Sequence, residues 1–152
     1  MSHDTYLVAL HMLARRELSE AQIRQRLTRR GESQDSIDEA VARLKAERSL
    51  DDERVAGAIA RTQTSLRGRG KRRVLQQIEA AGIAKSIAAQ AVDEVFQDLD
   101  ADALLSAALS KRLRGRERIA DDREFHRLFR YLMAQGFDSD KVLAVLRKHQ
   151  PR

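Results

Sequence analysis

Apolar residues recur four positions apart in three parts of the chain, and each series ends at a glycine. The three series are Ile23, Leu27 and Gly31, then Val74, Ile78 and Gly82, then Leu128, Leu132 and Gly136. A spacing of four places side chains on one face of a helix, and a glycine just beyond supplies the left-handed residue that ends it. Because an apolar series resumes after each glycine, the pattern predicts a helical unit of about 50 residues that is repeated three times and stacked.

Each repeat is predicted to contain three helices, and the repeats are expected at about 1–50, 51–100 and 101–152. Ser19 and Gln22 have the spacing of a capping box, and Ser33 is the expected N-cap of the following helix. Inward-facing residues are predicted on the opening helices of the first two repeats: Leu7, Leu10, Met12 and Leu13, then Val55, Ile59 and Leu66. The segment 113–119 is expected to form a longer exposed turn. The sequence therefore predicts a single all-α domain, an array of three tandem three-helix repeats.

Composition supports a helical fold and excludes several kinds of chemistry. Aromatic residues make up 4% of the chain and tryptophan is absent, so the core is expected to consist of Leu, Ile, Val and Ala. The single proline is Pro151, which leaves the predicted helices uninterrupted. Cysteine is absent, which excludes disulfides and thiolate catalysis. No signal-like start and no apolar run of membrane-spanning length is found, so a cytoplasmic protein is expected.

Basic residues dominate the charge, with a net charge of +6 and 23 arginines among 29 basic residues. Three basic runs are present: Arg15, Arg16, Arg24, Arg26, Arg29 and Arg30; Arg61, Arg67, Arg69, Lys71, Arg72 and Arg73; and Lys111, Arg112, Arg114, Arg116 and Arg118. Guanidinium groups suit carboxylates, phosphates and aromatic faces. For the first and third runs, a solvated surface and a binding role remain equally open.

The middle run is the best candidate for a binding site. Residues 61–73 contain no acid, and Arg69, Lys71, Arg72 and Arg73 fall at the start of a helix predicted for 70–81. The helix dipole disfavours cations there by about 0.3–1 kcal/mol each, whereas free amides beside glycines favour an anion. These four residues with Arg67 and Arg61 form the first candidate site, followed by Arg15, Arg16, Arg24 and Arg26. Replacing the four with glutamate is expected to preserve the fold, because the dipole favours carboxylates at a helix start.

No catalytic, metal or cofactor site is predicted. Gly70 and Lys71 resemble part of a phosphate-binding loop, but Ser65 stands where its first glycine belongs and Arg72 stands where its hydroxyl belongs. The four histidines are scattered without the spacing of a zinc site. The pairs Asp51–Asp52 and Asp121–Asp122 each precede a predicted helix and are interpreted as helix caps. We therefore expect a protein that is not an enzyme.

Three segments of the chain resemble the repeats of the RecX family. The central one combines SLDDERVA at 49–56 with Gly68 and Gly70 and with the series that ends at Gly82. The opening segment 9–31 is similar to the first repeat of that family, and the segment 129–142 is similar to its third. The chain departs from the family at Val55 and near Ile59, where an aromatic residue is usual.

The resemblance implies an elongated, curved array that lodges in the groove of a RecA-type recombinase filament on DNA. Such proteins limit filament growth, ATP hydrolysis and strand exchange, and thereby regulate recombinational repair and the SOS response. A monomer that binds single- and double-stranded DNA weakly and non-specifically is expected. Two alternatives stay open: a direct nucleic-acid-binding module that uses its arginines on phosphates, and a helical adaptor for another acidic partner. Aromatic platforms are too few for reading single-stranded bases.

Overall fold

The computed structural model describes residues 2–150, with side chains from Asp4 onward, and this part of the chain contains helices and no strand. The described residues form nine α-helices: α1 Ser2–Arg15, α2 Glu20–Arg29, α3 Gln34–Ala46, α4 Asp52–Arg61, α5 Lys71–Ala80, α6 Lys85–Gln97, α7 Ala101–Leu113, α8 Asp122–Ala134 and α9 Ser139–Arg147. A π-helical segment, Thr62–Leu66, directly follows α4. The predicted all-α class and the three successive sets of three helices are confirmed.

The side-chain caps and left-handed glycines that were predicted at the helix ends are present in the structure. Ser19 and Gln22 form both hydrogen bonds of a capping box, and the Ser33 side chain accepts a hydrogen bond from the Ser36 amide. Asp100, Asp121 and Asp138 cap α7, α8 and α9 in the same way. The three glycines expected to be left-handed have positive φ: Gly31 at 88°, Gly82 at 77° and Gly136 at 98°.

The described residues group into two compact units. Unit 1 contains the residues up to Ala58 together with Ile78–Ala91, and unit 2 contains Ile59–Gln77 together with the residues from Val92 onward. This grouping follows packing, whereas the repeats at about 1–50, 51–100 and 101–152 follow sequence periodicity. The three-repeat division of a single domain therefore stays a prediction.

In unit 1, helix α1 packs mainly against α3, and α2 packs against both. Their core consists of Tyr6, Ala9, Leu18, Ile23, Leu27, Ile37, Ala40, Val41, Leu44 and Leu50. The prediction for Leu7 was wrong, because its side chain is 44% exposed. Tyr6 faces the core instead, and its hydroxyl donates a hydrogen bond of 2.6 Å to Glu47. Since neighbouring positions on a helix point about 100° apart, inward Tyr6 turns Leu7 away.

In unit 2, helices α7, α8 and α9 pack on one another around a second core. Its buried residues are Leu105, Leu109, Leu113, Ile119, Leu128, Leu132, Phe137, Val142 and Leu146. The loop before α8 was predicted to be an exposed turn, but Ile119 within it is buried. The Ile119 amide also donates a 2.7 Å hydrogen bond to the carbonyl of His149. The loop is therefore anchored in the core of its unit.

The π-helical segment explains why the prediction for Leu66 was wrong. The Arg67 amide donates to the carbonyl of Thr62, five residues earlier, instead of four. A wider turn shifts the phase of every side chain that follows it. Thr64 is consequently buried and donates its hydroxyl to the Ala60 carbonyl at 2.8 Å, while Leu66 is 81% exposed.

Candidate functional site

The six basic residues of the middle run all lie in unit 2 and are called here the basic cluster: Arg61, Arg67, Arg69, Lys71, Arg72 and Arg73. Arg61 ends α4, and the last three residues form the first turn of α5. Arg69 and Arg73 are half-buried, whereas the other four side chains are exposed. Within this set, Arg67, Arg69 and Arg73 lie close enough for their charges to interact.

The basic cluster has no internal counter-charge. Among residues 4–150, no carboxylate forms an ion pair with any of its six cations. Burial lowers the pKa of the Arg69 guanidinium below its ordinary value, and the positive charges of Arg73 and Arg67 lower it further. The Arg69 Nη1 donates a 2.9 Å hydrogen bond to the neutral Gln63 side chain. The cluster is therefore a region of uncompensated positive charge that favours an anionic partner.

Two amides at the start of α5 are already hydrogen-bonded, which the sequence did not suggest. The Gly70 amide donates to the Gln135 carbonyl at 2.8 Å, and the Arg72 amide donates to the Gly136 carbonyl at 3.2 Å. These carbonyls belong to the end of α8, so the two helix ends satisfy each other's backbone groups. These two amides are therefore not free to bind an anion, and the attraction of the cluster for anions rests on its side chains.

Arg73 has a structural role at the same junction. Its Nη1 donates a 3.2 Å hydrogen bond to the Ala134 carbonyl, at the end of α8. Helix α8 carries no basic residue in its own last turn, so Arg73 supplies the cation that its dipole favours. The Nε of Arg73 is buried without a hydrogen-bond partner in the described part of the chain. The expectation that Arg73 can become glutamate without harm to the fold therefore no longer holds.

Two glycines allow the junction between α8 and α5 to form. A Cβ atom at Gly70 would lie 2.6 Å from the backbone carbon and oxygen of Gly136. A Cβ atom at Gly136 would lie 2.3 Å from the backbone nitrogen of Arg73. Gly70 thus serves close backbone packing, which agrees with the exclusion of a phosphate-binding loop.

Unit 1 contains a similar junction, between the end of α5 and the start of α2. The Ser19 hydroxyl donates a hydrogen bond to the Ala81 carbonyl, and the Asp52 carboxylate accepts one of 2.9 Å from the Glu20 amide. Asp51 caps its own helix by accepting a hydrogen bond from the Arg54 amide at 3.1 Å. The interpretation of the aspartate pair as capping residues is confirmed, although Asp52 caps a helix distant in sequence.

The second group of candidate residues divides into two sets. Arg15, Arg16 and Arg26 line an open groove of about 720 Å³ in unit 1, together with Arg30, which the candidate set did not include. Arg30 follows Arg26 by one helical turn, and this spacing was the signal that could have identified it. Arg24 lies elsewhere, with ion pairs of 3.0 Å to Glu20 and 2.7 Å to Asp38. Its charge is neutralised within the unit.

The third basic run is largely engaged in contacts within unit 2. The Arg112 guanidinium lies 3.7 Å from the centre of the Tyr131 ring. Arg116 donates to both carboxylate oxygens of Glu124 at 2.9 and 2.8 Å. These hydrogen bonds, with a further one from the Ala120 amide, lower the pKa of Glu124 from 4.5 to about 2. Arginines in this run therefore stabilise the loop before α8.

Comparison with known proteins places this architecture in a family. Residues 6–44 match the family model of the first three-helix domain of RecX, and residues 51–92 match that of the second. The regulatory protein RecX of Halorhodospira halophila is 34% identical over 137 residues, which cover 90% of this chain and 82% of that protein. The chain belongs to the RecX family. This finding confirms the resemblance that the repeat motifs indicated.

Two further RecX proteins extend the comparison. The regulatory protein RecX of Geobacillus kaustophilus is 32% identical over 142 residues, but this chain spans only 52% of that relative's length. The crystal structure of RecX from Lactobacillus salivarius has a TM-score of 0.77 and 18% identity, and the match covers 97% of this chain and 95% of that one. At this identity the structural match supports the fold alone. It includes α7, α8 and α9, which lie beyond the two family models.

The relatives carry the name of regulatory proteins, which indicates a regulator rather than an enzyme. Among the described residues, no group of three or more His, Asp or Glu side chains could hold a metal ion. None of the described helices is both long enough and apolar enough to span a membrane.

Proposed function

We propose that this RecX-family protein binds the filament that a RecA-type recombinase forms on DNA and limits filament growth, ATP hydrolysis and strand exchange. In this proposal it is a monomeric, non-enzymatic cytoplasmic regulator of recombinational repair and of the SOS response. The observation that carries the proposal is the basic cluster of unit 2, whose six cations lack a carboxylate partner in the described chain. A nucleoprotein filament offers phosphates and carboxylates that match such a surface.

The exposed members of the basic cluster are the residues that we assign to partner contact. Arg61, Arg67, Lys71 and Arg72 are free to reach outward, whereas Arg73 is tied to the Ala134 carbonyl. The Lys71 ammonium lies 5.5 Å from the centre of the Phe96 ring, which holds it at the surface of unit 2. Arg69 is held in place by its hydrogen bond to Gln63, and its charge adds to the positive electrostatic potential of the cluster.

A double charge reversal, Lys71→Glu with Arg72→Glu, tests this assignment. Both side chains are exposed at a helix start, where carboxylates are favoured by the dipole, so the fold should be retained. The variant should require at least roughly tenfold more protein to inhibit the DNA-dependent ATPase of the recombinase, because two attractive charges become repulsive. Lys85→Glu with Arg123→Glu is the matched control. It makes the same change in net charge at two other exposed helix starts.

The control should inhibit like the wild type, and all three proteins should melt at similar temperatures. If the double variant of the basic cluster melts normally and still inhibits fully, the cluster is not the binding surface. If the control loses as much inhibition as the cluster variant, net charge rather than the cluster governs binding.

A second candidate function is direct binding to nucleic acid, with recombinase contact secondary. The convergence of Arg67, Arg69 and Arg73 favours it, since clustered guanidinium groups also neutralise phosphates. Binding of this kind weakens steeply with salt and does not require the recombinase. Affinity for naked DNA measured at several salt concentrations therefore separates the two functions.

A further inference from the structure

The groove of unit 1 lies between one face of α1 and the end of α2. Helix α1 contributes Val8, His11, Met12 and Arg15, and Arg16 follows directly after its end. Helix α2 contributes Arg26, and its C-cap residue is Arg30. At 1.5 Å per residue, the stretch from Val8 to Arg16 extends for about 12 Å, a little over two helical turns. This length suits a short peptide segment better than an extended surface.

The four groove arginines are uncompensated, unlike other arginines of the same unit. Arg24 pairs with Glu20 and Asp38, and Arg54 pairs with Glu17 at 2.9 Å. None of the four groove arginines forms an ion pair with a carboxylate of residues 4–150. Nor does any acidic residue of the described part of the chain line the groove. Like charges gathered along one groove repel each other, and an external anion would relieve that repulsion.

The floor of the groove is apolar. Val8 and Met12 are half-buried and pack against the core of unit 1, which fixes their positions. Their remaining exposed surface lines the groove together with the four arginines. Methionine is unbranched and adapts to side chains of different shapes, so this floor can accept an apolar residue of a partner.

We propose that this groove binds an acidic amphipathic peptide segment of a partner protein. Carboxylates of the segment pair with Arg15, Arg16, Arg26 and Arg30, and one or two of its apolar side chains cover Val8 and Met12. The mode is that of an amphipathic helix laid in a groove. A nucleic acid would leave the apolar side chains of Val8 and Met12 unused, and among the described residues that line the groove no Phe, Tyr or Trp accompanies His11 as a platform for stacking bases. The proposal stands apart from the role of the basic cluster in unit 2.

The test uses the full chain and a fluorescein-labelled helical peptide of about 14 residues, composed of glutamate with leucine at i, i+3, i+4 and i+7. A second peptide has the same charge but serine in place of leucine, and a 15-nucleotide thymidine oligonucleotide is the third probe. The variants are Arg26→Gln with Arg30→Gln, and Met12→Gln. The control is Arg29→Gln with Lys85→Gln, which removes two exposed charges of unit 1 outside the groove.

Fluorescence anisotropy should show affinity for the leucine peptide falling at least roughly tenfold in the double groove variant and roughly threefold in Met12→Gln. The control should bind like the wild type, and unchanged melting temperatures should exclude unfolding. Equal binding of the serine peptide, or tighter binding of an oligonucleotide that displaces the leucine peptide, would overturn the proposal. A control that weakens binding as much as the groove variant would do the same.

Discussion

Glu124 is the residue that joins the loop before α8 to the helix itself. It accepts two hydrogen bonds from Arg116, at 2.9 and 2.8 Å, and one of 3.0 Å from the Ala120 amide. These donors favour the charged carboxylate and lower its pKa from 4.5 to about 2. A depressed folded-state pKa adds stability that is fully present above pH 4.5 and is lost as the pH falls towards 2.

Glu124→Gln should therefore reduce the loss of unfolding free energy that occurs as the pH falls from 4.5 to about 2. The variant should be less stable than the wild type at pH 7 by about 1 kcal/mol, since Arg116 is half exposed and solvent screens the pair. The difference should shrink as the pH is lowered from 4.5 to about 2, where the wild-type carboxylate is protonated. Glu117→Gln, an exposed residue of the same loop, is the control. Denaturant unfolding at several pH values measures the effect, and parallel wild-type and Glu124→Gln profiles would contradict it.

Residue-level predictions from sequence succeeded where the deciding contacts are local. The Ser19 capping box depends on a residue three positions away, and it formed as predicted. Local pattern could not decide whether Tyr6 or Leu7 faces the core. The hydroxyl of Tyr6 donates its hydrogen bond to Glu47, which lies 41 positions later. The pairing of Arg24 with Asp38 likewise joins two helices. Such pairs depend on packing that no single helix pattern encodes.

At the scale of elements, the end of one helix forms hydrogen bonds with the start of another. The glycine series predicted where α2, α5 and α8 end, since a left-handed residue stops a helix within its own turn. It did not predict that the end of α8 satisfies the start of α5, because this contact brings residues 70 and 136 together from distant parts of the sequence. For the same reason the sequence did not predict that the Gly70 and Arg72 amides are already hydrogen-bonded. The π-helical segment was missed because a pattern based on 3.6 residues per turn assumes an uninterrupted phase.

Three alanine substitutions separate backbone strain from close packing at the junction. Gly31→Ala has a positive φ but no atom within 4 Å of the added methyl group, so only strain of about 1–2 kcal/mol is expected. Gly70→Ala adds a clash with the Gly136 backbone without a positive φ. Gly136→Ala combines both effects and should lower the melting temperature most.

Thermal unfolding followed by circular dichroism measures these differences. Gly136→Ala should melt below Gly31→Ala by several degrees, because about 1 kcal/mol corresponds to roughly 2–4 °C in a chain of this size. Equal melting temperatures for Gly31→Ala and Gly136→Ala would show that the α8–α5 contact contributes nothing beyond strain at the glycine. A Gly70→Ala variant as stable as the wild type would likewise show that close packing between α8 and α5 does not contribute to stability.

At the scale of the whole molecule, the proposed function depends on basic residues that have no carboxylate partner in the described part of the chain. The sequence showed that the basic run at 61–73 contains no acid. The role of the basic cluster as a binding surface stays a prediction. The sequence could not separate Arg24, which is paired, from Arg15, Arg16 and Arg26, which line the groove of unit 1. Family membership then identifies the chain as a RecX-type regulator, and the recombinase filament as its partner is our proposal.

The most direct test of that proposal is whether the protein prefers the filament to the DNA within it. The chain has no cysteine, so one introduced at the exposed Ser106 carries a single fluorophore. Anisotropy titrations near physiological salt would compare a recombinase filament with naked single-stranded DNA of the same length. We predict at least roughly tenfold tighter binding to the filament, with a smaller loss of affinity as salt rises. Equal or tighter binding to the naked strand would contradict the account and favour direct nucleic-acid binding.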